Sequence, residues 1–459
     1  MRLTGILIVI AALLAPALGF AELAQRFAVQ PLLGQYVGVA ALIAMGIAQL
    51  LATRMRWLEL LFGGLDRIYV LHKWLGIGAI AMALLHDGLG AEVKGAGVTG
   101  VDLGPIGRLL GDDDAGEELG ELALDGLLVL VGLTLLTFIP YRWWFWTHRF
   151  IGAVYVVAVV HFLLVRKPFT IGDPLGLYVG AFCAIGVLSY LYCLLPFGRA
   201  FGRYAYTVRS VRPEGGAVEV KLERKRGGFR HLPGQFAFLS FDMPGLRETH
   251  PYTISSAPAA DGRELRFTIK PLGDYTRRLA TSLTPGATAR VAGPYGRFLR
   301  PRKAKAEVWI AGGIGITPFV AWAGSLTDGG PPIRLLYTVR GREHAAHIAE
   351  LEHAAQRHPG FTFRVIDTSK EPRLTAAAVA EAAGAPLRSV RVSYCGPLAM
   401  RQELRAGLVA LGLPRRNFRH EEFEIRTGIG IERLLRRLLD RSKPAATSPE
   451  APTAARMPR

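Results

Sequence analysis

A run of roughly 20 apolar residues is what a helix needs to cross ~30 Å of hydrocarbon, and such a run has few other stable fates. Six of them occupy the first 200 residues, at 4–21, 33–53, 68–87, 121–139, 147–165 and 174–196. They predict a membrane α-helical bundle of six transmembrane helices over residues 1–200. The first run follows Met-Arg and ends in Ala-Leu-Gly-Phe-Ala, so a cleaved signal peptide stands as the alternative to a retained helix. A chain that is 50% hydrophobic and 20% charged is neither disordered nor fibrous.

Basic residues orient the bundle. Arg54, Arg56 and Arg67 bracket one connection, Arg142 and Arg149 another, and Arg199 and Arg203 follow the last run. With six alternating helices these groups share one side, predicted to be cytoplasmic, with the chain starting and the soluble half emerging there. The acidic residues Asp112–Asp114, Glu117 and Glu118 fall on the opposite side, and Arg166-Lys167 is a minor violation of the rule. The net charge of +18 is explained by span ends and a cytoplasmic face, without nucleic acid.

Only four histidines occur in residues 1–200: His72 and His86 in the third run, His148 and His161 in the fifth. Those two helices run in the same direction. Ionisable side chains within spans are costly and mark function. A 14-residue separation is on the order of 21 Å along a helix and returns to nearly the same face. The 13-residue separation in the fifth run lies about 140° away on an ideal helix, which predicts a bulge or kink. The pattern suits two haems stacked across the membrane, His72 paired with His148 and His86 with His161. Packed polar histidines and a proton relay are the competing readings.

Three cysteines, Cys183, Cys193 and Cys395, provide neither a disulfide framework nor a Cys-x-x-Cys metal site. After Arg203 the pattern becomes short alternating segments with Gly/Pro punctuation, predicting an antiparallel β-barrel over 203–300. From Glu307 apolar strands at 308–311, 333–339 and 363–366 alternate with helical patterns, predicting an α/β nucleotide-binding domain over 301–425. A basic amphipathic helix and disordered tail are expected over 426–459.

Short motifs sit in both soluble domains. His250-Pro251-Tyr252-Thr253 offers an aromatic and hydroxyls able to stack on a flavin, or an ordinary Pro-containing strand. Lys270, Gly273 and Thr276 precede a helix, where a phosphate or a plain surface turn would fit equally. Gly312-Gly313-Ile314-Gly315-Ile316-Thr317-Pro318 follows a strand and opens a helix, which lets a pyrophosphate approach the backbone. Tyr394-Cys395-Gly396-Pro397 ends another strand, at the sheet edge where ligands gather.

In this order the features resemble the ferric reductase and NADPH oxidase superfamily, most closely bacterial ferric-reductase-like transmembrane flavocytochromes with a ferredoxin-reductase-type FAD/NAD(P) module. The resemblance covers residues 1–425, with Tyr252 replacing the Phe of the family's His-Pro-Phe-Thr motif and with Gly293-Pro294-Tyr295-Gly296 among the matched motifs. It implies FAD, two b-type haems and NAD(P)H as donor. His250, Pro251, Tyr252 and Thr253 would bind the flavin ring, and Lys270, Gly273 and Thr276 its ribityl–phosphate region. Gly312, Gly313, Gly315, Thr317, Pro318, Cys395 and Gly396 would hold the nicotinamide dinucleotide. Arg340 and Arg342 follow the strand ending at Val339, where relatives read the adenosine ribose, and their charge suits a 2′-phosphate or simply a solvated loop. Thr253, Cys395 and Phe423 would stand at the reacting rings, Phe423 as the aromatic that covers the flavin. The chain departs from the family by continuing past Phe423 through Gly428-Ile429-Gly430-Ile431.

The expected function is electron transfer from cytoplasmic NAD(P)H across the cell's inner (plasma) membrane to ferric iron, as a chelate, or to dioxygen. The lipid bilayer is the expected partner, and no obligatory protein partner is evident. A haem-containing electron carrier or sensor serving another protein is the alternative.

Overall fold

The computed structural model describes residues 2–93, 115–136, 139, 141–194, 203–225, 227–301 and 304–421. It comprises two compact units, one of Met1–Ala91 with Ile171–Phe423 and the other built on Glu92–Thr170. The predicted 1–200 domain is therefore shared between them.

In the first unit, the opening apolar run is broken by Pro16 into α1 (Leu3–Leu14) and α2 (Pro16–Leu23). Proline is tolerated here because it occupies the first turn of α2. The long helix α3 (Val29–Ala52) packs between α5 (Leu65–Leu89) and α8 (Pro174–Leu194). Its Ile43, Ala44 and Leu51 are fully buried, and its Gly and Ala content lets the neighbours come close. Between α3 and α5 lies the short helix α4 (Leu58–Phe62), ended by Gly63 in a left-handed conformation.

The second unit pairs α6 (Ala115–Leu135) with α7 (Tyr141–Leu164), burying Ala123, Leu127, Tyr155 and Phe162. Among the described residues, five helical stretches are long and apolar enough to cross a membrane, Leu3–Leu23, Val29–Ala52, Leu65–Leu89, Trp143–Leu164 and Pro174–Leu194. The predicted fourth span lies in α6, whose first half carries Glu117, Glu118, Glu121 and Asp125. Lys167, the residue on the wrong side of the charge rule, has a local explanation. Its Nζ donates to the carbonyls of Phe162 at 2.6 Å and Val165 at 3.1 Å, which caps α7. Burial brings the Lys167 pKa down to about 8.

Beyond the helices, six antiparallel strands lie in the order β4-β3-β6-β1-β2-β5. They are β1 (Arg203–Glu214), β2 (Ala217–Glu223), β3 (Phe236–Phe241), β4 (His250–Thr253), β5 (Glu264–Ile269) and β6 (Thr288–Tyr295). Ile254, just past β4, bridges Phe267 of β5, so the two ends of the sheet meet. The inward residues Val220, Leu239, Phe241, Phe267 and Val291 are fully buried.

Five parallel strands follow in the order β11-β10-β7-β8-β9. These are β7 (Ala306–Gly312), β8 (Ile333–Val339), β9 (Phe361–Asp367), β10 (Val390–Cys395) and β11 (Phe418–His420). The central strand β7 is buried along its whole length, as expected of a strand covered on both faces. The strand order reverses between β7 and β10, the switch point at which α/β sheets bind ligands. The predicted strand positions at 308–311, 333–339 and 363–366 all fall within observed strands.

Candidate functional site

Three of the four membrane histidines are oriented by one repeated device. His72 Nδ1 lies 2.9 Å from the Ala48 carbonyl, and His86 Nδ1 lies 2.9 Å from the Gly34 carbonyl, both on α3. In the other unit His161 Nδ1 lies 2.6 Å from the Gly116 carbonyl on α6. A carbonyl only accepts, so each Nδ1 carries the proton and each Nε2 keeps the ligating lone pair. A hydrogen bond from the far ring nitrogen is what orients a metal-bound imidazole.

Glycines make the approach possible. A Cβ at Gly38 would sit 2.7 Å from the His86 ring, and one at Gly120 2.7 Å from the His161 ring. Each histidine thus faces a Gly-x-x-x-Gly pair, Gly34/Gly38 or Gly116/Gly120, giving a carbonyl from the first and space from the second. The matched spacing was a readable signal that the histidine count alone did not use.

His148 is held differently. Its Nδ1 lies 3.3 Å from Thr134 Oγ1, whose own proton goes to the Leu130 carbonyl at 2.8 Å. The hydroxyl is therefore the acceptor. Trp144 stacks on the imidazole at 5.0 Å and 8° while its Nε1 donates to the Thr134 carbonyl at 3.3 Å. Its helix α7 is α-helical at every residue, so the predicted bulge does not interrupt it. Donor chemistry, tautomer and glycine clearance all fit axial ligation of haem iron.

The flavin motif lies on β4, where Tyr252 pairs with Ala237 and Thr253 with Phe236. The Tyr252 hydroxyl is buried and has no hydrogen-bond partner among the described residues, an orphan that a bound polar ring edge would satisfy. Burial pushes the Tyr252 phenol pKa up. His250 rests on the Tyr275 ring at 4.2 Å and bonds Glu248 at 3.2 Å. Burial lowers its pKa and Glu248 opposes the shift. Pro251 pairs with Phe238 in the same ladder. These residues fit a flavin.

Thr276 and Gly273 have a local task, since Thr276 Oγ1 accepts from the Leu272 and Gly273 amides at 2.8 and 2.9 Å. That starts the helix α9 (Asp274–Ser282). Lys270 lines a cavity of about 200 Å³ with Gly215, Gly313, Tyr337, Arg340 and His344. The structure thus places Lys270 with the nucleotide-motif residues Gly313 and Arg340.

At the switch point the two nucleotide motifs meet. A Cβ on Gly312 would strike the Pro397 ring at 2.6 Å, and one on Gly315 would overlap the Cys395 carbonyl. Gly313, at φ +54°, has open space where its side chain would be. Gly396 packs against Gly312 at a separation only glycine allows. Thr317 Oγ1 donates to the Ile314 carbonyl at 3.2 Å and, with Pro318, is buried at the start of α10 (Thr317–Ala323). The arrangement suits a pyrophosphate laid across backbone amides.

Cys395 is fully buried, and burial with the nearby Glu421 carboxylate raises its thiol pKa. Glu421, not singled out in the sequence, is 5% exposed, with one carboxyl oxygen unpartnered among the described residues. Burial, reinforced by Asp66, raises its pKa. Phe423, the 426–459 segment, Asp112–Asp114 and Arg199 lie outside the described residues.

Comparison with known proteins agrees with this layout. Residues 37–159 match the family model described as "Ferric reductase like transmembrane component". Residues 203–312 match "FAD-binding domain" and 309–406 "Oxidoreductase NAD-binding domain". A flavohemoprotein of Burkholderia sp. (strain TH2) is 32% identical over 205 residues, covering 42% of this chain and 51% of that protein. The 2-halobenzoate 1,2-dioxygenase electron transfer component of Burkholderia cepacia is 28% identical over 200 residues, covering 42% and 58%. The chain thus spans about half the length of the curated relatives it matches. Among solved structures, the flavohem-like FAD/NAD-binding domain of nitric oxide dioxygenase from Vibrio cholerae O1 biovar El Tor aligns at 22% identity with a TM-score of 0.41. That alignment covers 48% of this chain and 98% of that one.

Proposed function

We propose that this chain, which joins a ferric-reductase-like transmembrane component to a ferredoxin-reductase-type FAD/NAD(P)H oxidoreductase module, drives electrons out across the membrane. NAD(P)H is the cytoplasmic donor, and ferric chelate or dioxygen outside the cytoplasm is the acceptor. The bundle has six spans, α6 being the one missing from the five apolar stretches, with Glu117 and Glu118 on the outer face. The observation that carries this reading is the Nδ1–carbonyl bond of His72, His86 and His161, which fixes the ligating tautomer within hydrophobic helices.

When bound, FAD converts between a two-electron hydride donor and the one-electron chemistry of two b-type haems. The protein's residues bind and orient. Gly312, Gly313, Gly315 and Thr317 seat the dinucleotide, while Cys395 and Gly396 bound the nicotinamide side. Tyr252 and Thr253 hold the flavin, and Phe423 covers it. His72 with His148 serves the inner haem and His86 with His161 the outer, a pairing that rests on the matched sequence spacings. An inside-negative potential assists outward electron movement by ~2.3 kcal/mol per 100 mV.

The test is an anaerobic optical spectrum of the purified, FAD-loaded protein before and after NADPH, followed by air. Reduced b-type bands that vanish in air, with superoxide trapped, indicate an oxidase. Bands that persist in air and are discharged by a ferric chelate indicate a metalloreductase. Protein without haem absorption would overturn the reading.

A further inference from the structure

The connection between α3 and α5 contains the buried acid Glu59, on α4 and 6% exposed. Its Oε1 accepts two backbone amides, Leu65 N at 2.9 Å and Gly296 N at 2.9 Å. Leu65 opens α5, and His72 follows seven residues later, on the order of 10 Å along the helix. Gly296 is the last residue of the Gly-Pro-Tyr-Gly motif and directly follows β6, in the flavin barrel. One carboxylate oxygen therefore joins the helix that carries a membrane histidine to the barrel.

Two further contacts follow the same seam. The Arg54 guanidinium sits 4.4 Å over the Phe238 ring of β3 and 5.8 Å over Tyr69 of α5. Arg67 Nη2 lies 3.5 Å from His420 Nε2 on β11. In the sequence, Arg54 and Arg67 count as topology signals; in the fold both touch the soluble module.

The Gly296 peptide has little freedom. Its carbonyl accepts from Gln235 Nε2 at 3.2 Å, its φ is +94°, and an added Cβ would lie 2.9 Å from the Phe236 ring. A buried carboxylate is costly unless donors compensate it, and here the two compensating donors come from different parts of the machine. General packing would be served as well by an apolar residue, which would leave both amides unpaired.

We propose that Glu59 is a positioning residue, a latch that docks the flavin barrel on the helix carrying His72 and thereby fixes the separation for flavin-to-haem electron transfer. The role rests on the electron path proposed above. Full-length protein in nanodiscs is compared with Glu59→Ala and Glu59→Gln by stopped-flow absorbance and by amide hydrogen exchange. In Glu59→Ala, flavin reduction by NADPH keeps its rate while haem reduction slows several-fold, because electron transfer weakens steeply as donor and acceptor move apart. Exchange of the Gly296 amide accelerates at least about ten-fold when its acceptor is removed. Glu59→Gln keeps an acceptor oxygen and restores both properties.

Unchanged haem reduction in Glu59→Ala, unaccelerated exchange at Gly296, or a Gln variant as impaired as Ala would each overturn the latch. Wild-type protein without haem bands would instead overturn the electron path, and the exchange measurement alone would then decide whether Glu59 holds the barrel.

Discussion

Thr134 accepts a hydrogen bond from His148 at 3.3 Å, whereas the other three membrane histidines donate to backbone carbonyls at 2.6–2.9 Å. The hydroxyl is polarised by its own bond to the Leu130 carbonyl. An acceptor on Nδ1 makes the imidazole a more basic ligand and favours the oxidised metal. On the proposed ligation, Thr134→Val should therefore raise the midpoint potential of the haem at His148. Loss of one neutral hydrogen bond is worth about 1 kcal/mol, or about 40 mV for one electron. Thr134→Ser should stay at the wild-type value. A spectroelectrochemical titration reads both, and an unmoved potential in the Val variant would remove Thr134 from the ligand's support.

Gly38 and Gly120 give a test of the haem pairing that leaves every ligand in place. An alanine at either position puts a methyl 2.7 Å from the ring of His86 or His161. Helical backbone on both sides limits relief, so the ring must turn away from its carbonyl. Gly38→Ala and Gly120→Ala should each lose the same haem, lowering the haem content per flavin by about half with retained flavin. The double variant should lose no more. Loss of both haems in the double variant but one in each single would place His86 and His161 on different irons.

Much of this was legible in the chain. Apolar runs located the helices because only length and hydropathy decide a span, and the strand–glycine–helix order located the nucleotide fold. The support of His148 was not legible, because spacing on an ideal helix does not reveal that Thr134 would extend an acceptor to it. Glu59 was silent for a related reason: an acid in a basic connection reads as solvated until the Gly296 turn arrives from over two hundred residues away. Lys270 reads in the sequence as a flavin-phosphate cation beside Thr276, and that it also lines a cavity with Gly313 and Arg340 could be seen only in the fold.

Glu421 yields a pH prediction. Burial and the Asp66 charge raise its folded pKa above the ordinary 4.5. As pH climbs past 4.5 the unfolded chain releases this proton while the folded chain keeps it, so stability falls until the folded pKa is reached. Glu421→Gln has no proton to release. Its thermal midpoint in detergent should exceed that of the wild type at neutral pH by a few degrees, with the two curves converging toward pH 4.5. A variant less stable than wild type at pH 7 would mean that Glu421 is ionised and paired in the folded protein.

The cavity shared by Lys270, Arg340 and His344 offers a test of nicotinamide preference. Arg340 follows β8 and is exposed, so nothing in its packing requires a guanidinium there. Three side chains able to carry positive charge around about 200 Å³ suit a 2′-phosphate better than a bare ribose hydroxyl. Arg340→Ser should raise the KM of flavin reduction for NADPH by about 10- to 100-fold, the value of one charged hydrogen bond. KM for NADH should hardly move, and kcat should be retained with both donors, because the phosphate lies far from the reacting ring and binds equally before and during hydride transfer. Equal losses with NADH and NADPH would instead assign Arg340 to the pyrophosphate, which both donors share, and would leave Lys270 and His344 as the only candidates in that cavity for recognising the 2′ position.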